Sequence, residues 1–296
     1  PGWTKSSNVE RYTFNANGTY KISQALEFKV LGSGSHRSQK APGTLSQEVD
    51  VVSGEVKRGF DINPFSYALN TSRTLEPNTY YRRNYADFNI FHELDNNYID
   101  LNVNDLKFQA DLTWFILPGL SANALGALRY SSSSQEHYIT GKSNMAMAYR
   151  AGVKEGENGE NETIREANPY LYRDPDNPLA TKETVLPKGG IYDRTNYEMQ
   201  SIDFRASANY VKNINGGEHS INAFGAMELN STKRSRGWAR MYGVDYESGM
   251  SSFYDPSIFK QNKEENTPYY SFNPTLKRNI AFLATGSYAY QHKYVL

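Results

Sequence analysis

Short and long connections alternate strictly along this chain, between segments in which apolar and polar residues alternate with a period of two. That periodicity is the mark of a half-exposed β-strand. In the first segment Tyr12, Phe14, Ala16, Gly18 and Tyr20 share one face, against Arg11, Thr13, Asn15, Asn17 and Thr19. Leu26, Phe28, Val30 and Gly32 follow after a few polar residues, set against Glu27 and Lys29. The clearest segment sets Leu106, Phe108, Ala110, Leu112 and Trp114 against Lys107, Gln109, Asp111 and Thr113. It turns at Pro118-Gly119 into Ala122, Ala124, Gly126, Leu128 and Tyr130. Ile202, Phe204, Ala206, Ala208 and Tyr210 turn at Asn215-Gly216-Gly217 into Ile221, Ala223, Gly225, Met227 and Leu229. A seventh segment runs from Ile280 to Tyr290, and Tyr294-Val295-Leu296 starts an eighth.

The connections between these segments are a few residues long or cover about 36–96, 133–196 and 233–276. Ordinary loops have a median of about 4–6 residues. In an antiparallel meander this order places every short turn at one end and every long loop at the other. The expectation is an all-β fold: an antiparallel transmembrane β-barrel segment of seven to eight strands, with short periplasmic turns and long extracellular loops. Leu106, Phe108, Leu112, Phe204 and Phe282 are then expected to face lipid. Lys107, Asp111, Asp203 and Arg205 are expected to face a watery lumen, because charge facing lipid is costly. A soluble sandwich, such as a glycan-binding β-domain, shows the same alternation, and only the loop asymmetry argues against it.

Composition narrows the chemistry. The 23 Tyr fit interfacial aromatic girdles. With no Cys there is no disulfide scaffold, thiolate metal site or Cys nucleophile. The 32 basic residues balance 32 acidic ones, which argues against a nucleic-acid partner. No apolar run is long enough for a transmembrane helix, and none follows Pro1 as in a signal peptide. His92-Glu93 begins like a zinc-protease motif, but position 96 is Asn. The five His sit at no ligand spacing, and neither Asp174/Asp176 nor the acidic run at 155–162 matches a calcium loop. No catalytic residue, metal or cofactor is expected, and the chain does not read as an enzyme.

Several longer phrases carry a resemblance. They are Lys40-Ala41-Pro42-Gly43-Thr44-Leu45, the stretch Asp61 to Arg73, Tyr85-Ala86-Asp87-Phe88-Asn89-Ile90-Phe91-His92-Glu93-Leu94, Asn144-Met145-Ala146-Met147-Ala148-Tyr149-Arg150 and Leu171-Tyr172-Arg173-Asp174-Pro175. With these the chain resembles the SusC/RagA family of TonB-dependent outer-membrane transporters, from about Asp50 to its end. The resemblance implies a 22-strand barrel with a plug in its lumen, in the outer membrane of a Gram-negative bacterium. It also implies a SusD-like surface lipoprotein as a lid, oligosaccharide or peptide cargo, and energy delivered through TonB. Plug and TonB box are not among these residues, so all of 1–296 is expected to be part of the barrel domain. Loop aromatics and arginines (Tyr67, Arg73, Tyr149, Arg150, Tyr172, Arg194, Trp238, Arg240 and Tyr242) are the expected lid or cargo contacts, by residue type. A non-transporting receptor or complex subunit on the same barrel is the rival expectation.

Overall fold

The computed structural model describes residues 7–43, 47–49, 56–58, 64–153, 161–291 and 294–295. Its framework is a curled antiparallel sheet of seven long strands that forms half a barrel. Along the chain come β1 (Asn8–Lys21), β2 (Leu26–Pro42), the short pair β3 (Gln47–Val49) and β4 (Val56–Arg58), and α1 (Pro64–Asn70). The hairpin β5 (Tyr81–Arg83) and β6 (Ala86–Phe88) leads to α2 (Ile90–Asn96), then β7 (Asn97–Leu117) and β8 (Leu120–Ile139). After α3 (Asn144–Ala148) and α4 (Glu162–Ala167) come β9 (Gly190–Ile214) and β10 (His219–Asp245). The short β11 (Ser251–Ser252), α5 (Ser257–Glu264), β12 (Tyr270–Tyr290) and β13 (Tyr294–Val295) complete the described chain. The sheet order is β1-β2-β7-β8-β9-β10-β12-β13, a meander in sequence order.

The register puts the two faces read from the sequence on two continuous surfaces. One cross-strand row is Phe28, Leu112, Ala124, Ala206, Met227 and Phe282, and its neighbour includes Gly126, Phe204, Leu229 and Ile280. The opposite face carries rows such as Lys107, Arg129, Ser201, Thr232 and Lys277. The apolar face is open, with Leu106 at 49%, Phe108 at 50% and Phe282 at 77% exposure, while the polar face mixes open cations such as Lys107 and Arg205 with partnered acids. Asp111 and Asp203 on the polar face are half-buried. On a curled sheet the inner side chains crowd together and the outer ones splay apart, so the face whose side chains pair across strands, the polar one, is the inner one.

The strands outrun the periodic segments. Residues 36–42, 133–139, 190–196, 233–245 and 270–276, expected in loops, continue the ladder. In Ser35-His36-Arg37-Ser38-Gln39-Lys40 both faces are polar, so the apolar period ends while the backbone pairing continues. The long connections therefore cover 43–96, 140–189 and 246–269, all at one end of the sheet. The short turns lie at the other end. Gly119 fits one of them for two reasons: its φ is +87°, and a Cβ there would collide with the Val211 carbonyl of β9.

Candidate functional site

The long connections fold on each other through backbone-directed polar side chains. Asn89 caps α2, its Oδ1 accepting from the Phe91 and His92 N–H groups at 3.0 and 3.1 Å. One helical turn on, Glu93 is 1% exposed, and its Oε1 accepts the Asn144 N–H at 2.6 Å. Burial pushes the Glu93 carboxyl up to about 7, while the Asn144 bond and the Arg83 charge oppose the shift. The Asn144 amide in turn donates to the Arg83, Ala86 and Asp87 carbonyls at 2.8, 3.2 and 3.0 Å. The hairpin β5–β6, α2 and α3 thus form one polar-stitched unit. Its apolar part is Phe88, Ile90 and Leu94, with Tyr67 and Tyr81 packed against them. His92 pairs with the Lys142 carbonyl at 2.9 Å, and no metal-ligating cluster occurs among the described residues.

A second core joins the other two connections to the strand ends: Ile139, Met145, Ala146, Val185, Leu186, Ile191, Tyr242 and Ile258. Tyr149 and Tyr172 pack against it. Arg150 spreads its guanidinium over three carbonyls, with Nε to Leu186 at 2.8 Å, Nη1 to Gly141 at 3.1 Å and Nη2 to Gly189. The Tyr172 hydroxyl donates to Glu264 of α5 at 2.8 Å, and Lys260 pairs with Asp174 at 2.6 Å.

Of the expected lid or cargo contacts, Tyr67, Tyr149, Arg150 and Tyr172 are therefore engaged inside the loop assembly. Four others are not loop residues. Arg194 lies on β9, and Trp238, Arg240 and Tyr242 lie on β10, because both strands extend beyond their apolar segments. Arg194 reaches Glu136 at 3.6 Å. Arg240 makes a two-point ion pair with Asp193 at 2.6 and 2.7 Å and lies 5.6 Å from the Trp238 ring. Arg73 is exposed. The acidic stretch 155–160 and His292 lie outside the described residues.

Residue type alone did not single out the exposed aromatic patch on the third connection. Phe259 meets Tyr254 in a tilted contact at 5.5 Å and Tyr269 edge-on at 5.3 Å, and each ring stays more than two-fifths open. A usable signal was present: Phe253-Tyr254 and Tyr269-Tyr270 bracket the polar α5.

Below the loops the inner face is a polar lattice. Asp111 accepts from Asn123 at 2.7 Å and from Thr113 at 3.3 Å. Asp203 accepts from Ser201 at 3.1 Å and from Asn230. Arg129 grips Asp105 at 2.7 and 3.1 Å, and Arg205 pairs with Glu228 at 2.6 Å. Such a surface suits water and polar solutes, whereas the opposite surface offers Leu, Ile and Phe to its surroundings.

A curled wall that is polar inside, apolar outside and loop-covered at one end has the fold of an antiparallel β-barrel segment. Among solved structures the chain is similar to the RagAB peptide transporter, at 12% identity and a TM-score of 0.57, over 96% of this chain and 26% of that one. It is also similar to the RagAB peptide importer in its 'closed-closed' state (13%, TM-score 0.56) and in its 'open-open' state (13%, TM-score 0.58), with the same coverage. The chain thus spans about a quarter of the length of the structures it matches. No protein-family model and no curated protein matches the sequence.

Proposed function

We propose that this chain is part of the wall and loop cap of a TonB-dependent outer-membrane transporter of the SusC/RagA family, which imports peptides or oligosaccharides. The observation that carries the reading is the inverted exposure of the wall: its apolar residues face outward and its polar residues pair inward, at one register across six strands. A soluble sandwich would bury the Leu and Phe face, whereas a bilayer solvates it. The likeness to RagAB structures, with their peptide cargo and named open and closed states, supports import over static adhesion and a lipoprotein lid over the loop end. In this reading Leu106, Phe108, Leu112, Phe204 and Phe282 face lipid, and Lys107, Asp111, Asp203 and Arg205 face the lumen.

The test is uptake by the full-length protein in outer-membrane-bearing cells. Labelled peptides and oligosaccharides are supplied with and without a protonophore, and with TonB deleted. Uptake of either class that collapses in both conditions is expected. Binding without energised uptake would favour the receptor reading instead, and a full-length protein that stays monodisperse without detergent would overturn the barrel.

A further inference from the structure

The inner wall has more cation than its own acids use. Its six acids are Glu27, Asp105, Asp111, Asp193, Asp203 and Glu228. Four of them are held in ion pairs, by Lys29, Arg129, Arg240 and Arg205. The other two, Asp111 and Asp203, are satisfied by amide and hydroxyl donors. Among the described residues no carboxylate pairs with Lys107, Arg234 or Lys277, nor with Arg11, Lys21, Arg37 or Arg236 elsewhere on this face. Lys107, Arg234 and Lys277 line one groove of about 410 Å³ across the inner face, together with Arg129 and one acid, Asp203, whose oxygens accept from Ser201 and Asn230. Arg234 also borders an adjoining hollow of about 290 Å³, where Arg236 lies 5.5 Å from the Tyr197 ring.

We infer that this groove binds carboxylates carried on an elongated ligand, and that the transporter's cargo is anionic. The inference rests on the transport reading above and specifies its cargo. Lys107 and Lys277 stand at the two ends of one cross-strand row, Lys107-Arg129-Ser201-Thr232-Lys277. At about 4.8 Å per strand that row is roughly 19 Å long. About six extended residues with several carboxylates match that length. Ser201 and Thr232 lie between the cations with their hydroxyls already donating to Asp203 and Asn230, so the cations carry the recognition. Lys ammonium groups on flexible stems suit a moving ligand, since they hold charge without fixing one geometry. An acidic peptide and an oligouronate present the same chemistry.

The experiment uses the purified full-length transporter in detergent, titrated by calorimetry with hexaglutamate, hexagalacturonate and neutral hexaserine at low and high salt. At least one anionic probe should bind about tenfold more tightly than hexaserine and weaken with salt. Which probe does so distinguishes peptide from glycan. The variant Lys107→Gln/Arg234→Gln/Lys277→Gln should lose that advantage and leave hexaserine unchanged. Lys277→Gln alone, on the exposed β12, should lose a smaller part of it and serves if the triple variant does not fold. Equal binding of charged and neutral probes, or an anion preference that survives these substitutions, overturns the groove. Energised uptake of neutral cargo in either case leaves the transport reading standing, whereas loss of all energised uptake in the unmodified protein overturns that reading itself.

Discussion

Glu93 on α2 and Asn144 at the start of α3 share a hydrogen bond of 2.6 Å between a carboxylate oxygen and a backbone N–H, which ties the first long connection to the second. Both residues are nearly inaccessible. The folded protein holds a proton on Glu93 up to about pH 7, against an ordinary value of 4.5. The folded state therefore binds this proton more tightly than the unfolded chain does. The contribution of Glu93 to stability is fully present below pH 4.5 and is lost as pH rises to about 7, by on the order of 3 kcal/mol. Glu93→Gln keeps an acceptor for the Asn144 N–H and removes the charge. It should flatten that slope and exceed the unmodified protein above pH 7, as read by hydrogen exchange in 83–96 across the pH range. An unchanged slope in the variant would assign the effect to another group.

Arg150 holds three carbonyls from two ends of the second connection. Lysine cannot reproduce a planar fork of donors, so Arg150→Lys should leave at least one carbonyl unsatisfied, at a cost of about 1–3 kcal/mol. The expected readout is faster limited proteolysis between 141 and 153, with β7 and β8 still protected. Cleavage as slow as in the unmodified protein would show that the second core alone fixes the loop.

The two faces of β7 differ in what they tolerate. Phe108 opens outward and Gln109 inward. A lysine at 108 near mid-membrane should cost about 2–4 kcal/mol, with little effect at 109. Urea unfolding of the full-length protein from lipid vesicles measures both variants. Similar costs at the two positions would contradict a lipid-facing outer surface.

The wall was legible in the sequence because its two faces meet different surroundings, and each residue from Leu106 to Trp114 records which one it meets. The strand extensions left no such record. Around Ser133 and Gln135 both faces are polar, so the pairing continues without an apolar pattern. The loop cores were hidden for another reason. Helices of five to eight residues are too short for a clear period, and bonds such as Asn144 to Ala86 join residues 58 apart. Tyr149, Arg150 and Tyr172 were expected at a partner surface because their residue types dominate interfaces. The same types serve interiors when a hydroxyl or guanidinium finds a partner, as all three connections show.

The separation of buried from exposed aromatic residues makes a prediction about the proposed lipoprotein lid. Tyr254, Phe259 and Tyr269 form an open aromatic cluster on the third connection, through one tilted and one edge-on contact. Interface energy concentrates on such anchors, and removing them exposes no cavity inside the loop assembly. Alanine at all three should release the surface lipoprotein during co-purification while thermal unfolding of the transporter stays unchanged. Alanine at Tyr149, Arg150 and Tyr172 should also release it, but together with a lower unfolding temperature, because these residues hold the loops in place from within. The contrast matters more than either loss alone, since a disordered cap binds nothing. If the lipoprotein is retained after the Tyr254, Phe259 and Tyr269 substitutions, the patch is not its docking site. If instead those substitutions lower the unfolding temperature as much as the inner set does, the patch belongs to the loop core.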